Sequence, residues 1–222
     1  MTDRDLQAAA DDFRCLLNRG YPREESLRLV GNRHNLNKDM RHLLHRGVFS
    51  DDAACSRRGK TVPITDVRGE PLIVDGHNVL ITVESGLRNQ VLVDGDDGFV
   101  RDVAAVSGRY RKGWATHRAM DLIVEVLARV TPAWVFFLFD APISGSGELA
   151  SWTRAMLMER GIPGDARAVK VPEHVMKHHT GIIASSDTDV IDHAVRVCDL
   201  AGGVIRPSVK APIVTFGRRH FS

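Results

Sequence analysis

No segment of this chain approaches the roughly 20 consecutive apolar residues of a membrane helix, so a membrane-spanning role is not expected. Cysteine is scarce. Cys15, Cys55 and Cys198 are odd in number, far apart and without paired metal-ligand spacing, which argues against a disulfide framework or a cysteine zinc site. The formal charge is only +2 over 222 residues, so overall charge demands no polyanionic partner. The chain also lacks the nucleotide fingerprints G-x-G-x-x-G after a strand and G-x-x-x-x-G-K. A dehalogenase-type phosphatase needs a second aspartate two residues after the first, and after Asp75 that place holds His77. Gly145-Ser146-Gly147 is too short for a G-x-S-x-G nucleophile elbow. No internal repeat or low-complexity tract is visible. The opening MTDRDLQAAADD has neither a basic leader nor an apolar core, so a cytoplasmic location is expected.

What the chain does have is a set of apolar runs ending in acid. Leu72-Ile73-Val74 suits a strand buried on both faces, and it delivers Asp75 to a turn at Gly76. Trp134-Val135-Phe136-Phe137-Leu138-Phe139, the most hydrophobic stretch, ends in Asp140 and is followed by a Gly/Ser turn and Glu148 at a predicted helix start. Gly181 to Ala184 runs into Ser185-Ser186-Asp187-Thr188-Asp189 and then into a helical apolar pattern at Val190, Ile191, Ala194, Val195 and Cys198. Each aspartate has two readings, site residue or helix cap, and Ser186 or Asp187 would cap the last helix. Around a turn, Asp187 and Asp189 would converge on one ion. Inside a regular helix they would diverge by roughly 200 degrees. Carboxylates gathered at strand ends repel, and desolvating them costs several kcal/mol per ion unless a cation compensates. With oxygen donors and no thiolate, that cation is expected to be Mg²⁺ or Mn²⁺.

At these residues the sequence resembles a known group. LIVDGHNVL, the strand ending FLFDAP and the turn SSDTD are similar to the PIN and NYN-like metal-dependent nucleases, whose acidic residues gather at the carboxyl edge of a parallel sheet. The run DFRCLLNRGYPREESLRLVGNRHNLNKDMRHLLHRGVFS, with ITVESGL, DDGFVRDV and SGSGELA, resembles an uncharacterised prokaryotic family of unknown function with a PIN-like second half. The resemblance covers nearly the whole chain and carries no substrate with it. It implies that Asp75 is the first-strand aspartate, that Asn78 is the polar residue following it, and that Asp187 and Asp189 are the late acidic pair. Asp140 and Glu148 lie in the region of a middle acidic residue. His77 stands where many relatives carry an aromatic residue, and packing is the favoured reading for it.

The basic residues Arg28, Arg33, Lys38, Arg41 and Arg46, with His34, His42 and His45, crowd the first 50 residues. This cluster is either a phosphate-attracting surface or a solvated helical face. Leu6, Phe13, Leu16 and Leu17 predict a first helix and Glu24 to Val30 a second, started near Pro22 and ended by Gly31. Asn37 is expected to cap a third helix through Arg46, a weak helix-turn-helix pattern. Residues 51–70 are polar without sustained periodicity and read as a linker. Beyond it, strands are expected near 71–75, 90–94, 133–139, 165–169, 181–185 and 203–206, with helices near 115–130, 148–160 and 188–200. Asp97, in the acidic stretch Asp94, Asp96, Asp97 and Asp102, is kept as a weak site candidate. Glu173, His174, His178 and His179 read as a surface loop rather than a metal cluster.

The expected molecule is therefore α/β, with a mostly parallel sheet sandwiched by helices (71–222, PIN-like) behind a small all-α basic module (1–50). The expected activity is metal-dependent phosphodiester hydrolysis of nucleic acid, RNA in preference to DNA. Asp75, Asp140, Asp187 and Asp189 would be catalytic and, with Glu148, ligands for Mg²⁺ or Mn²⁺. Asn78, Ser185, Ser186, Arg33, Lys38 and Arg41 would meet substrate. A non-catalytic nucleic-acid or protein-binding module is the alternative, and homo-oligomerisation stays open.

Overall fold

The computed structural model describes residues 3–103, 113–177, 179 and 181–217. Five parallel strands form the main sheet: β1 (Pro71–Asp75), β4 (Trp134–Asp140), β5 (Gly164–Val169), β6 (Ile182–Ala184) and β7 (Arg196–Cys198). Their spatial order is β5-β4-β1-β6-β7, with every neighbouring pair parallel. The alternation of side chains along a strand then separates two cores. Leu72, Val74, Phe137, Phe139, Ile182 and Ala184 point to one face, packed by α5 (Gly76–Leu87), α6 (Trp114–Val130), α7 (Ser146–Glu159) and α10 (Leu200–Ser208). Ile73, Leu138, Ile183 and Val197 point to the other, against Met176 of α8 (Pro172–Lys177) and Val190 and Ile191 of α9 (Thr188–His193). Continuous apolar runs thus become strands covered on both sides, as a parallel sheet requires.

The N-terminal region is helical: α1 (Asp3–Asn18), α2 (Arg23–Arg33) and α3 (Lys38–Gly47). Asn37 caps α3 by accepting the Met40 amide at 2.9 Å. Pro22 stands immediately before α2, but Gly31 does not end that helix, which continues to Arg33. Phe13, Val30, Leu44 and Val48 pack with Val93 and Phe216. Those two residues belong to or follow a small sheet of order β3-β2-β8, built from β2 (Leu92–Asp94), β3 (Val100–Asp102) and β8 (Ile213–Thr215).

Besides the end of α2, three expectations differ from the structure. Within 51–70, expected as a linker, Asp51–Lys60 is a helix, α4. Ser50 caps it, acids occupy its first turn and bases its last, which complements the helix dipole. Its buried face is made by Ala54 and Arg57, so hydrophobic periodicity does not find it. The helix expected over 188–200 stops at His193. Val195 is exposed and Arg196–Cys198 pairs with β6 as a strand. The strand expected near 203–206 is instead inside α10, whose N-cap Asp199 accepts the Gly202 amide at 2.8 Å.

Candidate acidic site at the sheet edge

Numbering the main-sheet strands by their order in the chain gives 3-2-1-4-5, so the direction of winding reverses between β1 and β6. α5, which follows β1, packs on one face, and α9, which follows β6, packs on the other. Neighbouring strands whose helices leave to opposite faces open a crevice at their carboxyl ends, where α/β proteins place ligands. Asp75 ends β1 and Ser185 follows β6, so the two residues flank that crevice.

Asp75 is both a cap and a site residue. It is the N-cap of α5, with its Oδ1 accepting the Asn78 amide at 3.4 Å, and its Oδ2 accepts the Ser185 hydroxyl at 2.8 Å. Gly76 is required beside it, because a Cβ there would lie 2.4 Å from the Phe139 ring and 2.9 Å from the Leu138 carbonyl oxygen. Burial pushes the Asp75 carboxyl up to about 7 from its ordinary 3.8, and the charges of Asp187 and Asp140 push the same way. The bonds from Ser185 and Asn78 oppose that shift.

Asp140 lies two residues beyond Leu138, the register partner of Asp75, so it projects to the same face one step further along. Its carboxyl is half-buried, and loss of solvent raises its pKa. Its amide donates to His77 Nδ1 at 2.9 Å. The Nδ1 of His77 is therefore an acceptor, and burial holds the ring's pKa down at about 4. His77 is thus neutral near pH 7, and its 3.4 Å approach to Asp140 Oδ2 is no ion pair. The ring packs edge-on against Phe139.

Asp187 caps α9, its Oδ1 accepting the amides of Asp189 at 2.8 Å and Val190 at 3.2 Å. Asp189, inside the helix, has cationic neighbours of its own: Lys177 Nζ sits 2.6 Å from its Oδ2 and His193 Nδ1 3.4 Å from its Oδ1. Asp187 and Asp189 both line a surface depression of about 360 Å³ with Val171, Glu173, His174 and Lys177. Glu148 is exposed in the first turn of α7. Asn78, Ser185 and Ser186 are engaged with one another and with the acids: Asn78 Oδ1 accepts both the amide and the hydroxyl of Ser186 at 2.9 Å. Among the described residues, no group of three or more His, Cys, Asp or Glu stands in position to hold one metal ion. His178 lies outside the described residues, and His179 Nδ1 accepts the Gly181 amide at 2.9 Å.

Asp97 is fully buried and paired with Arg101 at 2.7 Å and Arg57 at 3.2 Å. In the N-terminal region Arg33 is exposed and stands 3.4 Å from Asp12, and Lys38 is exposed. Arg41 is turned onto its own backbone, donating to the Leu36 carbonyl at 2.9 Å and to Asn32 Oδ1 at 3.0 Å. Arg57 and Arg101 had no signal in the sequence as site neighbours, because a buried arginine leaves no trace in hydrophobic periodicity.

Residues 64–203, more than half of the chain, match the family described as "Domain of unknown function (DUF5616)". The chain belongs to this family. Residues 5–60 match a second one, "Protein of unknown function (DUF434)". The chain is similar to an uncharacterized protein of Methanocaldococcus jannaschii, 31% identical over 186 residues that cover 84% of this chain and 88% of that protein. No solved structure matches. The DUF5616 segment contains β1, β4, β6 and the whole acidic edge, while the DUF434 segment ends with α4. Among the described residues no helix is long and apolar enough to cross a membrane.

Proposed function

We propose that this member of the DUF5616 family is a PIN-like, Mg²⁺- or Mn²⁺-dependent phosphodiesterase that cleaves nucleic acid, RNA in preference to DNA. The observation that carries the reading is electrostatic. Asp75, Asp140 and Asp187 approach from three neighbouring segments at the sheet's switch point, closely enough that the last two raise the pKa of the first. Burial accounts for most of the rise of the Asp75 carboxyl to about 7 and the two neighbouring acids add to it; a cation would relieve both, and hard oxygen donors suit a divalent ion. Asp75, Asp140 and Asp187 would hold it only once drawn closer together, since among the described residues no three such groups stand in position for one ion. When bound, the ion supplies Lewis-acid polarisation of a phosphate and a more acidic water. Ser185 and Asn78 hold the two sides of the crevice together, and His77, neutral near pH 7, anchors Asp140 through its amide. Asp189, paired with Lys177, is assigned no ligand role.

The nucleic-acid surface in this reading is the groove of about 470 Å³ between α2 and α3, lined by Leu27, Lys38, Arg41, His42 and His45 with Glu24. Lys38 and the nearby exposed Arg33 would meet phosphates, and Arg41 would shape the groove. A second reading, a non-catalytic binding module, is favoured by the lack of a three-residue metal group among the described residues. The readings separate in one experiment: incubation of the protein with labelled RNA in Mn²⁺ or in EDTA, beside the Asp75→Asn variant. Mn²⁺-dependent cleavage that the variant lacks supports the enzyme. RNA retention without cleavage supports the binder.

A further inference from the structure

The acidic site is held in place by the N-terminal region through a buried line of ion pairs. Arg101 of β3 is 1% exposed and bonds to Asp97, to Ser186 and, at 3.4 Å, to the Phe99 carbonyl. Its Nη1 and Nη2 donate to the two oxygens of Asp97 at 2.7 and 2.8 Å, and its Nε donates to the Ser186 carbonyl at 2.7 Å. The Ser186 amide and hydroxyl are fixed on Asn78, and its neighbour Ser185 donates to Asp75. On the far side, Arg57 of α4 donates through Nη1 to Asp97 at 3.2 Å and grips Asp192 of α9 through Nε and Nη2 at 2.7 and 2.8 Å. Both guanidinium groups stack on the ring of Phe49, at 4.5 Å for Arg57 and 5.1 Å for Arg101. α4 thus holds α9 through Asp192, and Arg101 holds the turn between β6 and α9 through the Ser186 carbonyl.

We infer that Arg101 is the positioning residue of the acidic site and that Arg57, supplied by the segment that matches a different family, completes its support. The geometry admits little else. A fully buried Asp97 needs a compensating donor, since an uncompensated buried charge is strongly destabilising, and Arg101 supplies two of its three arginine bonds and Arg57 the third. Burial alone would raise the Asp97 carboxyl, yet the bonds and charge of Arg101 and Arg57 hold it below the usual carboxylate range. Lysine cannot replace this arrangement, because one ammonium does not span a carboxylate and a carbonyl as a planar guanidinium does. The consequence is that the 64–203 segment does not carry a finished site by itself. Its central turn is held by Arg101 from within, and the Asp97 that pairs with Arg101 takes a further bond from Arg57 outside it.

The assignment rests on the proposed acidic site for its role in metal binding but not for its geometry, so two readouts are taken on the full chain. Amide hydrogen exchange is measured for wild type, Arg101→Lys and Arg57→Gln at Ser186 and Asp187, whose amides bond to Asn78 Oδ1 and Ser185 Oγ, with the β1 and β4 amides as the control for global folding. Mn²⁺ affinity is measured in parallel with the metal alone. In Arg101→Lys, exchange at Ser186 and Asp187 is expected to accelerate about tenfold or more, the equivalent of one lost charge-assisted bond, while the β1 and β4 amides hold. Mn²⁺ affinity is expected to fall about 10-fold to 100-fold, as for loss of a residue behind the ligands. Arg57→Gln, which removes the outer support only, is expected to accelerate exchange at the same two amides less, and it decides the matter if Arg101→Lys does not fold. Unchanged exchange at Ser186 and Asp187 in a folded variant overturns the assignment. Altered exchange with no Mn²⁺ binding by wild type leaves the positioning role standing and overturns the metal reading instead.

Discussion

Ser185 joins the two halves of the acidic crevice: its hydroxyl donates to Asp75 Oδ2 at 2.8 Å, and the same oxygen accepts the Asp187 amide at 3.1 Å. One small side chain therefore links the end of β1 to the cap of α9. It also opposes the effect of burial on Asp75, since the bond favours the charged carboxylate.

Ser185→Ala removes both links without changing the packing volume much. Divalent-metal affinity should drop by about 10-fold to 100-fold. Stability should fall by about 1 kcal/mol or more, because Asp75 and the Asp187 amide lose a buried partner. Calorimetric titration with Mn²⁺ and urea unfolding check the two effects separately.

Asp75 and His77 impose opposite pH dependences on the metal-free fold. The folded Asp75 keeps its proton from the unfolded value of 3.8 up to about 7, so its contribution makes the fold less stable as pH rises through that window. The three-unit shift corresponds to about 4 kcal/mol, an order-of-magnitude figure. The folded His77 stays neutral down to about 4 against 6.5 unfolded, so its contribution is fully present above pH 6.5 and is lost as pH falls toward 4. Urea unfolding in EDTA between pH 4 and 8 should therefore show a shallow profile in wild type. In Asp75→Asn stability should climb with pH over the same range.

The two acids of the β6–α9 turn should behave differently. Asp187→Asn keeps the cap, for which Asn is nearly as good as Asp, and should weaken Mn²⁺ binding. Asp189→Asn weakens the contacts with Lys177 and His193, both at the surface, and should leave Mn²⁺ binding unchanged. Equal losses in the two variants would return Asp189 to the ligand set.

The carboxyl edge was legible in the sequence because three apolar runs each end in acid, and a run buried on both faces is the most legible element of a parallel sheet. Asp75, Asp140 and Asp187 follow from that pattern. Asp189 did not separate from Asp187, because a two-residue spacing is compatible with a turn or a helix, and only the start of α9 at Thr188 decides between them. α4 and the Arg57–Asp97–Arg101 line were invisible, since their burial depends on charges from distant segments meeting in space. The pattern from Val190 to Cys198 fits helical spacing and a short strand alike, and the cap at Asp199 that starts α10 was not read from the sequence.

In the N-terminal region, exposed cations should contribute to nucleic-acid affinity and Arg41 to folding. Arg33→Ala with Lys38→Ala should lower the slope of log affinity against log salt by about 0.7 to 0.9 for each phosphate that is no longer neutralised, with an unaltered melting temperature. Arg41→Ala should cost about 1–3 kcal/mol of stability, because the Leu36 carbonyl and Asn32 lose their donor. Filter binding over a salt series, with thermal unfolding alongside, resolves the two.

The central claim is that Asp75 shares a divalent ion with Asp140 and Asp187, and thermal unfolding of wild type and Asp75→Asn, each with and without Mn²⁺, tests it most directly. At a metal concentration 100 times the dissociation constant, wild type should gain about 2.7 kcal/mol, a rise of roughly 5 to 10 °C for a chain of this size. Asp75→Asn should melt at or above the metal-free wild-type temperature, since clustered acids repel in the empty site, and should gain nothing from Mn²⁺. A Mn²⁺-induced rise of the same size in the variant, or no rise in wild type, would contradict the account.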